Sequence, residues 1–242
     1  MVNRAFLQSK DSEFSTPNIY NAYYGLKDFG IECIKFETLE DLQELYHSKN
    51  DLIVGGVGIV RKRLKHFDID PPMIDYPEEL KKYLGRDIIE TQLSKVAICQ
   101  ELWPIFIKSK EQKVLTGKVI NNPVDLAGLE DIDVYCSNVI NFVSEYRVFV
   151  RYGQILDMKH YWGDPLVFPD SKIITSAIED YTTAPDAYGI DFGVTDTGET
   201  LLIEVNDAWA LGCYGLESHL YAKFLLTRWA QLVNIPDEYF YI

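Results

Sequence analysis

The chain has 242 residues, of which 47% are hydrophobic and 25% charged, with 15 glycines and 10 prolines. That balance excludes a disordered, collagenous or fibrous protein, and the length suits one large core or two small ones joined across a cleft. With 23 Lys and Arg against 37 Asp and Glu, the formal charge is −14; such a field repels phosphate backbones and anionic membranes, so neither nucleic acid nor membrane is expected as a partner.

A basic cluster, Arg61-Lys62-Arg63 with Lys65, is followed closely by Asp68 and Asp70 and reads as a solvated helix or loop face. Cys33, Cys99, Cys136 and Cys213 form no CxxC pair, so neither a zinc site nor a redox motif is signalled. The first ten residues are too polar for a secretory signal, and no run of ~18 apolar residues is present. A cytosolic protein with free thiols is the expectation.

Residues 4–8 read as a first strand. Residues 18–29 have helical spacing and end at Gly30, a natural C-cap, and residues 31–36 read as a second strand. Thr38, three residues before Asp41, opens a helix expected to reach about His47. Residues 51–54 form a third strand, after which Gly55, Gly56 and Gly58 lack the spacing of a dinucleotide motif and are read as a tight turn or a close backbone approach. Pro71, Pro72 and Pro77 mark an extended connection, followed by a short helix over 78–84 that ends at Gly85. A boundary near 85–95 divides an α/β domain, 1–92, from a second domain, 93–242.

The second part is β-rich: 105–108, 118–121, 134–137, 146–151, 154–160, 187–195 and 200–206 carry β-branched and aromatic residues. Turn signals lie at 151–154 and 195–199. A long amphipathic helix over 216–233 closes the chain, and the tail 239–242 is expected to cap the core.

The hairpin GIDFGVTDTGETLLIEVND, 189–207, carries the chemistry. Antiparallel pairing sets Asp191 beside the far end of the next strand, and period two puts Glu204 and Asn206 on one face. Two carboxylates and an amide are hard oxygen ligands suited to Mg²⁺. Leu201, Leu202, Ile203 and Val205 mark that second strand as central, where an acid needs a partner or a metal. Cations lie upstream: Lys108 ends the run IFIK, with Lys110, Lys113 and Lys118 behind it. Glu145 and Arg147 share a strand face, either as a functional pair or as a structural ion pair, and Lys159-His160 lies across the hairpin. Cations and a metal set on successive strands are what a nucleoside triphosphate requires.

In their order, Lys108 in FIK, KVLTGKV, EYRVFV, ILDMKHYWGD and the 13-residue step from Asp191 to Glu204 ending in EVN, these motifs resemble the ATP-grasp superfamily. EYRVFV and KSKEQKVLTG resemble most closely its clade labelled by two arginines and a lysine, which includes small bacterial and phage proteins and a eukaryotic assembly chaperone for a translation initiation factor. The resemblance covers about residues 93–230. It implies an α+β ATP-grasp fold whose two α+β subdomains enclose a nucleotide cleft behind a small N-terminal α/β domain, with ATP and Mg²⁺ as cofactors. Lys108, Lys113 and Lys118 would contact phosphates, the strand with Ser137 and Val139 would face adenine, and Glu145 would line the same site. Arg147 and Lys159 would sit near the γ-phosphate, and Asp191, Glu204 and Asn206 would hold the metal. The implied activity is a carboxylate–amine ligase working through an acylphosphate, with a protein or peptide as one possible acceptor; the alternative is a non-catalytic ATP-binding assembly module. In one departure, many ligases of the superfamily carry an arginine just before the first metal acid, where this chain has Gly189 and Ile190.

Overall fold

The computed structural model describes residues 2–44, 48–111 and 115–240. Strand β1 (Arg4–Lys10) buries Ala5, Phe6 and Leu7 completely and turns back through a short β2 (Glu13–Phe14). Helix α1 (Pro17–Asp28) starts where the Thr16 side chain accepts from the Ile19 amide and ends before Gly30, whose φ of +73° is the left-handed turn expected of a glycine stop. Strand β3 (Glu32–Phe36) pairs in parallel with β1. Before α2 (Leu39–Glu44), Thr38 and Asp41 exchange hydrogen bonds of 3.1 and 2.8 Å; the expected end at His47 lies outside the described residues. Strand β4 (Asp51–Val54) also pairs in parallel with β1. Gly56 caps α3 (Val57–His66) and donates to the Gln8 side chain. The basic cluster on α3 is not simply a solvated face: Arg63 is buried with its guanidinium 4.3 Å from the Phe67 ring centre, because long cationic side chains pack their stems and stack.

A 3₁₀ turn, Glu78–Tyr83, leads through Gly85 to β5 (Ile89–Gln92), α4 (Leu93–Ile98), β6 (Ile105–Ser109), β7 (Lys118–Ile120) and β8 (Asp133–Asn138). The strands form an antiparallel sheet in the order β5-β8-β6-β7. Strand β5 precedes the expected boundary at 92 yet pairs with β8 beyond it, so this sheet gathers residues from both sides of that point.

The third sheet contains β9 (Phe142–Arg151), β10 (Gln154–Gly163), β11 (Ala187–Thr195) and β12 (Thr200–Asp207), in the order β10-β9-β11-β12. The hairpin at Tyr152-Gly153 has both residues at positive φ, as its tight turn requires. Strand alternation divides the sheet's faces. Val148, Val150, Ile190 and Leu202 pack behind it against α5 (Ser171–Asp180), a helix the sequence reading did not anticipate. On the front, Phe149 and Ala187 join the core of the N-terminal unit, and the polar residues beyond them face a cleft. Strand β12 was expected to be central; it ends the sheet, and its outer edge is covered instead by residues 75–86, with the Val205 amide donating to the Asp75 carbonyl.

Helix α6 (Ser218–Val233) returns to the N-terminal unit and packs on α1. A Cβ built on Gly25 would lie 1.9 Å from the Ser218 carbonyl oxygen, so only glycine permits this approach. A buried pair, Arg228 with Asp207 at 2.6 and 2.5 Å, ties α6 to the end of β12. Tyr239 packs on Phe29 as a cap, and Phe240, 45% exposed, sets its ring 4.7 Å from that of Tyr152; Tyr241 and Ile242 lie outside the described residues. All four cysteines are free. Among the described residues, no helix is long and apolar enough to cross a membrane.

Candidate functional site

The second and third sheets and the N-terminal unit enclose a cavity of about 930 Å³. The antiparallel register places Lys159 opposite Arg147, Arg147 opposite Asp191, and Asp191 opposite Glu204. Four strands therefore carry a row of two cations followed by two acids. From the facing sheet, Lys108 on β6 reaches across and bonds both Glu204 and Asp75.

Each acid is held differently. Asp191 accepts from Arg147 Nε and Nη2 at 2.8 and 2.6 Å and is almost fully enclosed. Burial raises its carboxyl to about 6, against the attraction of Arg147. It lies beneath Arg147 and Asn206 and is not part of the cavity lining. Glu204 and Asn206 do line the wall. The Asn206 amide nitrogen is 3.1 Å from Glu204 Oε1 and 3.3 Å from Asp191 Oδ2, so it joins the two carboxylates. Burial also works against ionised Glu204, but Lys108, Asn206 and Arg147 outweigh it and hold this acid below its ordinary range. Burial likewise disfavours the Lys108 cation, yet Glu204 and Asp75 more than offset that and hold it above its ordinary range.

These donors fit a hard divalent cation. The side chains offer carboxylate and amide oxygens without imidazole or thiolate; Asn206 turns its Nδ2 to both acids, so its amide would turn over to present Oδ1 to a cation. Arg147 and Lys108 now satisfy the carboxylates, and a metal would share or displace those contacts. Among the described residues, no group of three or more His, Cys, Asp or Glu is placed to hold a metal ion, here or elsewhere.

The other residues singled out from the sequence are placed unevenly. Ser137, Val139, Glu145 and Arg147 line the cavity. Glu145 does not pair with Arg147; burial raises its carboxyl, while a hydrogen bond from Tyr161 opposes that rise. Lys159 faces the same way as Arg147 but stands one strand farther from the acids, pairs with Asp157 at 2.7 Å and does not line the cavity. Lys118 is also set apart from the acids. It sits at the exposed start of β7 and donates to the Asp125 carbonyl at 2.6 Å, also off the lining. Lys113 lies outside the described residues. Lys110 turns to Glu90.

Several lining residues escaped the sequence reading. Asp75 comes from the proline-marked connection and Arg86 from the stretch just after Gly85, neither of which carries a motif. Tyr161 and Tyr214 flank the Arg147 guanidinium, their ring centres 5.8 and 4.6 Å from it. The missing arginine at 189 also finds an explanation. A Cβ there would lie 2.5 Å from Leu211 Cδ2, with Arg147 Cδ at an ordinary contact distance of 3.4 Å, so the Leu211 side chain occupies the space of the absent side chain.

A sequence profile for an ATP-grasp domain, that of family 2 in the clade labelled by two arginines and a lysine, matches residues 83–224. Among solved structures, N5-carboxyaminoimidazole synthetase from Staphylococcus aureus superposes with a TM-score of 0.62 at 11% identity, covering 97% of this chain and 78% of that one. D-alanine–D-alanine ligase from Bacillus anthracis, complexed with ATP, gives 0.53 at 14% identity over 95% and 97%. The macrocyclase MdnC from Microcystis aeruginosa MRC, bound with precursor peptide MdnA, gives 0.51 at 12% identity over 92% and 98%. At these identities the likeness concerns the fold. No curated protein matches the chain. With the profile spanning more than half of its length, the chain belongs to the ATP-grasp superfamily, in family 2 of its two-arginine, one-lysine clade.

Proposed function

We propose that this protein is an ATP- and Mg²⁺-dependent ligase that activates a carboxylate as an acylphosphate and passes the acyl group to an amine. The observation that carries this reading is the row Arg147, Asp191, Glu204 with Lys108 set against its acidic end. Asp191, Glu204 and Asn206 would hold Mg²⁺, which when bound neutralises charge on the transferring phosphoryl oxygens. Lys108 supplies a point charge to phosphate. Arg147, with Nε and Nη2 committed to Asp191, keeps Nη1 for an anion in the cavity. Tyr161 and Tyr214 restrain its guanidinium, so little rotamer freedom remains to be lost on binding.

In the first step a substrate carboxylate oxygen forms a bond to the γ-phosphorus while the bond from that phosphorus to the β,γ-bridging oxygen breaks and ADP leaves. An amine nitrogen then attacks the acyl carbon, inorganic phosphate departs with the C–O bond pair, and the amine proton passes to solvent or to phosphate. Ser137 and Val139, on the opposite wall, are proposed to face the adenine. A peptide acceptor draws support from the likeness to MdnC, whose structure holds a precursor peptide.

The test is isothermal titration with a non-hydrolysable ATP analogue with and without Mg²⁺, followed by trapping with hydroxylamine over a panel of carboxylic acids and peptides. Metal-dependent binding and carboxylate-dependent ADP and hydroxamate formation are expected. Absence of metal-dependent binding refutes the reading; tight binding without ADP release identifies a nucleotide-gated assembly module instead.

A further inference from the structure

The pairing of β11 with β12 contains one irregularity. Asp191 stands opposite Glu204, but the next residue, Phe192, stands opposite Leu202, so Ile203 is an extra residue in β12. Such a bulge breaks the period-two alternation. Without it, Leu202, Glu204 and Asn206 would share a face, and an apolar side chain would enter the acidic row. With it, Leu202 joins Val205 in the core behind the sheet, fully buried, while Glu204 and Asn206 face the cavity.

A bulge also turns successive carbonyls to the same edge of a strand, where an end strand has no neighbour to donate to them. Here one side chain does so. Arg86 Nη1 donates to the Leu202 carbonyl at 3.0 Å and Nη2 to the Ile203 carbonyl at 2.9 Å. Nη1 also donates to the Leu84 carbonyl at 2.9 Å, which ties the guanidinium back to its own turn. Gly85 makes the approach possible: its φ is +61°, and a Cβ there would lie 2.7 Å from Leu201.

We infer that Arg86 is a positioning residue that fixes the bulge at Ile203 and thereby aims Glu204 at the metal site. This rests on the reading of Glu204 as a metal ligand. The planar fork of an arginine matches two carbonyls side by side; a lysine ammonium on a flexible stem does not reproduce that geometry. The role therefore depends on shape as well as charge, and Arg86 acts through the backbone of β12.

The test uses the full chain with Arg86→Met and Arg86→Lys, and Glu204→Gln as a control. Affinity for a non-hydrolysable ATP analogue is measured with and without Mg²⁺, and amide hydrogen exchange over residues 200–207 is measured without nucleotide. Both Arg86 variants are expected to lose about tenfold or more of the gain in affinity that Mg²⁺ brings, a larger loss than any in metal-free affinity. Exchange over 200–207 is expected to quicken in both. A wild-type metal gain in Arg86→Met overturns the inference; one restored in Arg86→Lys shows a role of charge alone and overturns it as well. Unchanged exchange in both variants overturns the bracing of the bulge. If the parent itself gains nothing from Mg²⁺, the metal reading of Glu204 fails, and the exchange measurement alone decides whether Arg86 holds the bulge.

Discussion

Replacing Arg147 with methionine strands the Asp191 carboxylate in an interior where its side chain is 2% exposed. The native state then has two ways to relax: keep a buried, unpaired charge, or take up a proton. The second sets the ceiling on the cost. In the parent the Asp191 carboxyl already titrates at about 6, so protonating it at pH 7 costs only about 1.4 kcal/mol. Loss of the two hydrogen bonds to the guanidinium adds about 1–3 kcal/mol, for a total destabilisation of about 2–4 kcal/mol at pH 7.

The sign of the pH dependence follows. The folded carboxyl sits above its unfolded value of 3.8, so between these values the native state binds more protons than the unfolded chain and stability rises as pH falls. The variant carries its proton already at neutral pH, whereas the parent acquires one only near pH 6. The difference between them should therefore shrink by about 1.4 kcal/mol between pH 7 and pH 5. Equilibrium urea unfolding of both proteins at pH 5, 6 and 7 measures this, and Arg147→Met/Asp191→Leu should recover much of the loss at pH 7. A difference that is constant over this range, or that grows towards pH 5, refutes the reasoning.

Three further outcomes are expected. Lys108→Ala should weaken Mg²⁺-nucleotide binding by about tenfold or more and Lys110→Ala by less than about twofold, since only the former loses a buried charge-assisted contact at the acids; equal losses in calorimetry would remove Lys108 from the site. Burial pushes the Cys33 thiol up to about 11, so its alkylation at pH 8, followed by mass mapping, should be about a hundredfold slower in the folded chain than in denaturant, and equal rates would contradict its enclosure. Gly85→Ala forces a left-handed residue against Leu201 and should lower stability by about 1–3 kcal/mol in urea unfolding; an unchanged midpoint would mean that the turn carries no strain.

Lys108 and Lys110 illustrate how far the linear pattern reaches. Strand alternation sends both to one side of β6, and on that ground they differ only in depth. Their partners separate them: Glu204 lies 96 residues from Lys108, and Glu90 lies 20 residues from Lys110, distances over which no local periodicity carries information. Lys159 shows the same limit from the other side. Its register with Arg147 is local to one hairpin and legible, but its distance from the acids depends on the insertion of β9 between β10 and β11, a matter of sheet order.

By itself the sequence determined the hairpin of β11 and β12, the turn at Thr195–Glu199 and the shared face of Glu204 and Asn206, because each is set by a period of two and by turn chemistry within about 20 residues. It likewise determined α1, with its Gly30 end, and the amphipathic α6. Only the tertiary structure decided that β12 is an end strand, that Ile203 bulges from it, that Arg86 and Asp75 cover it, and that the Leu211 side chain fills the space above Gly189. The physical reason is common to all four. An unpaired carbonyl or an empty volume exists only once the sheets have assembled, and the residue that satisfies it is selected by proximity in space, for which a proline-marked connection gives no pattern in advance.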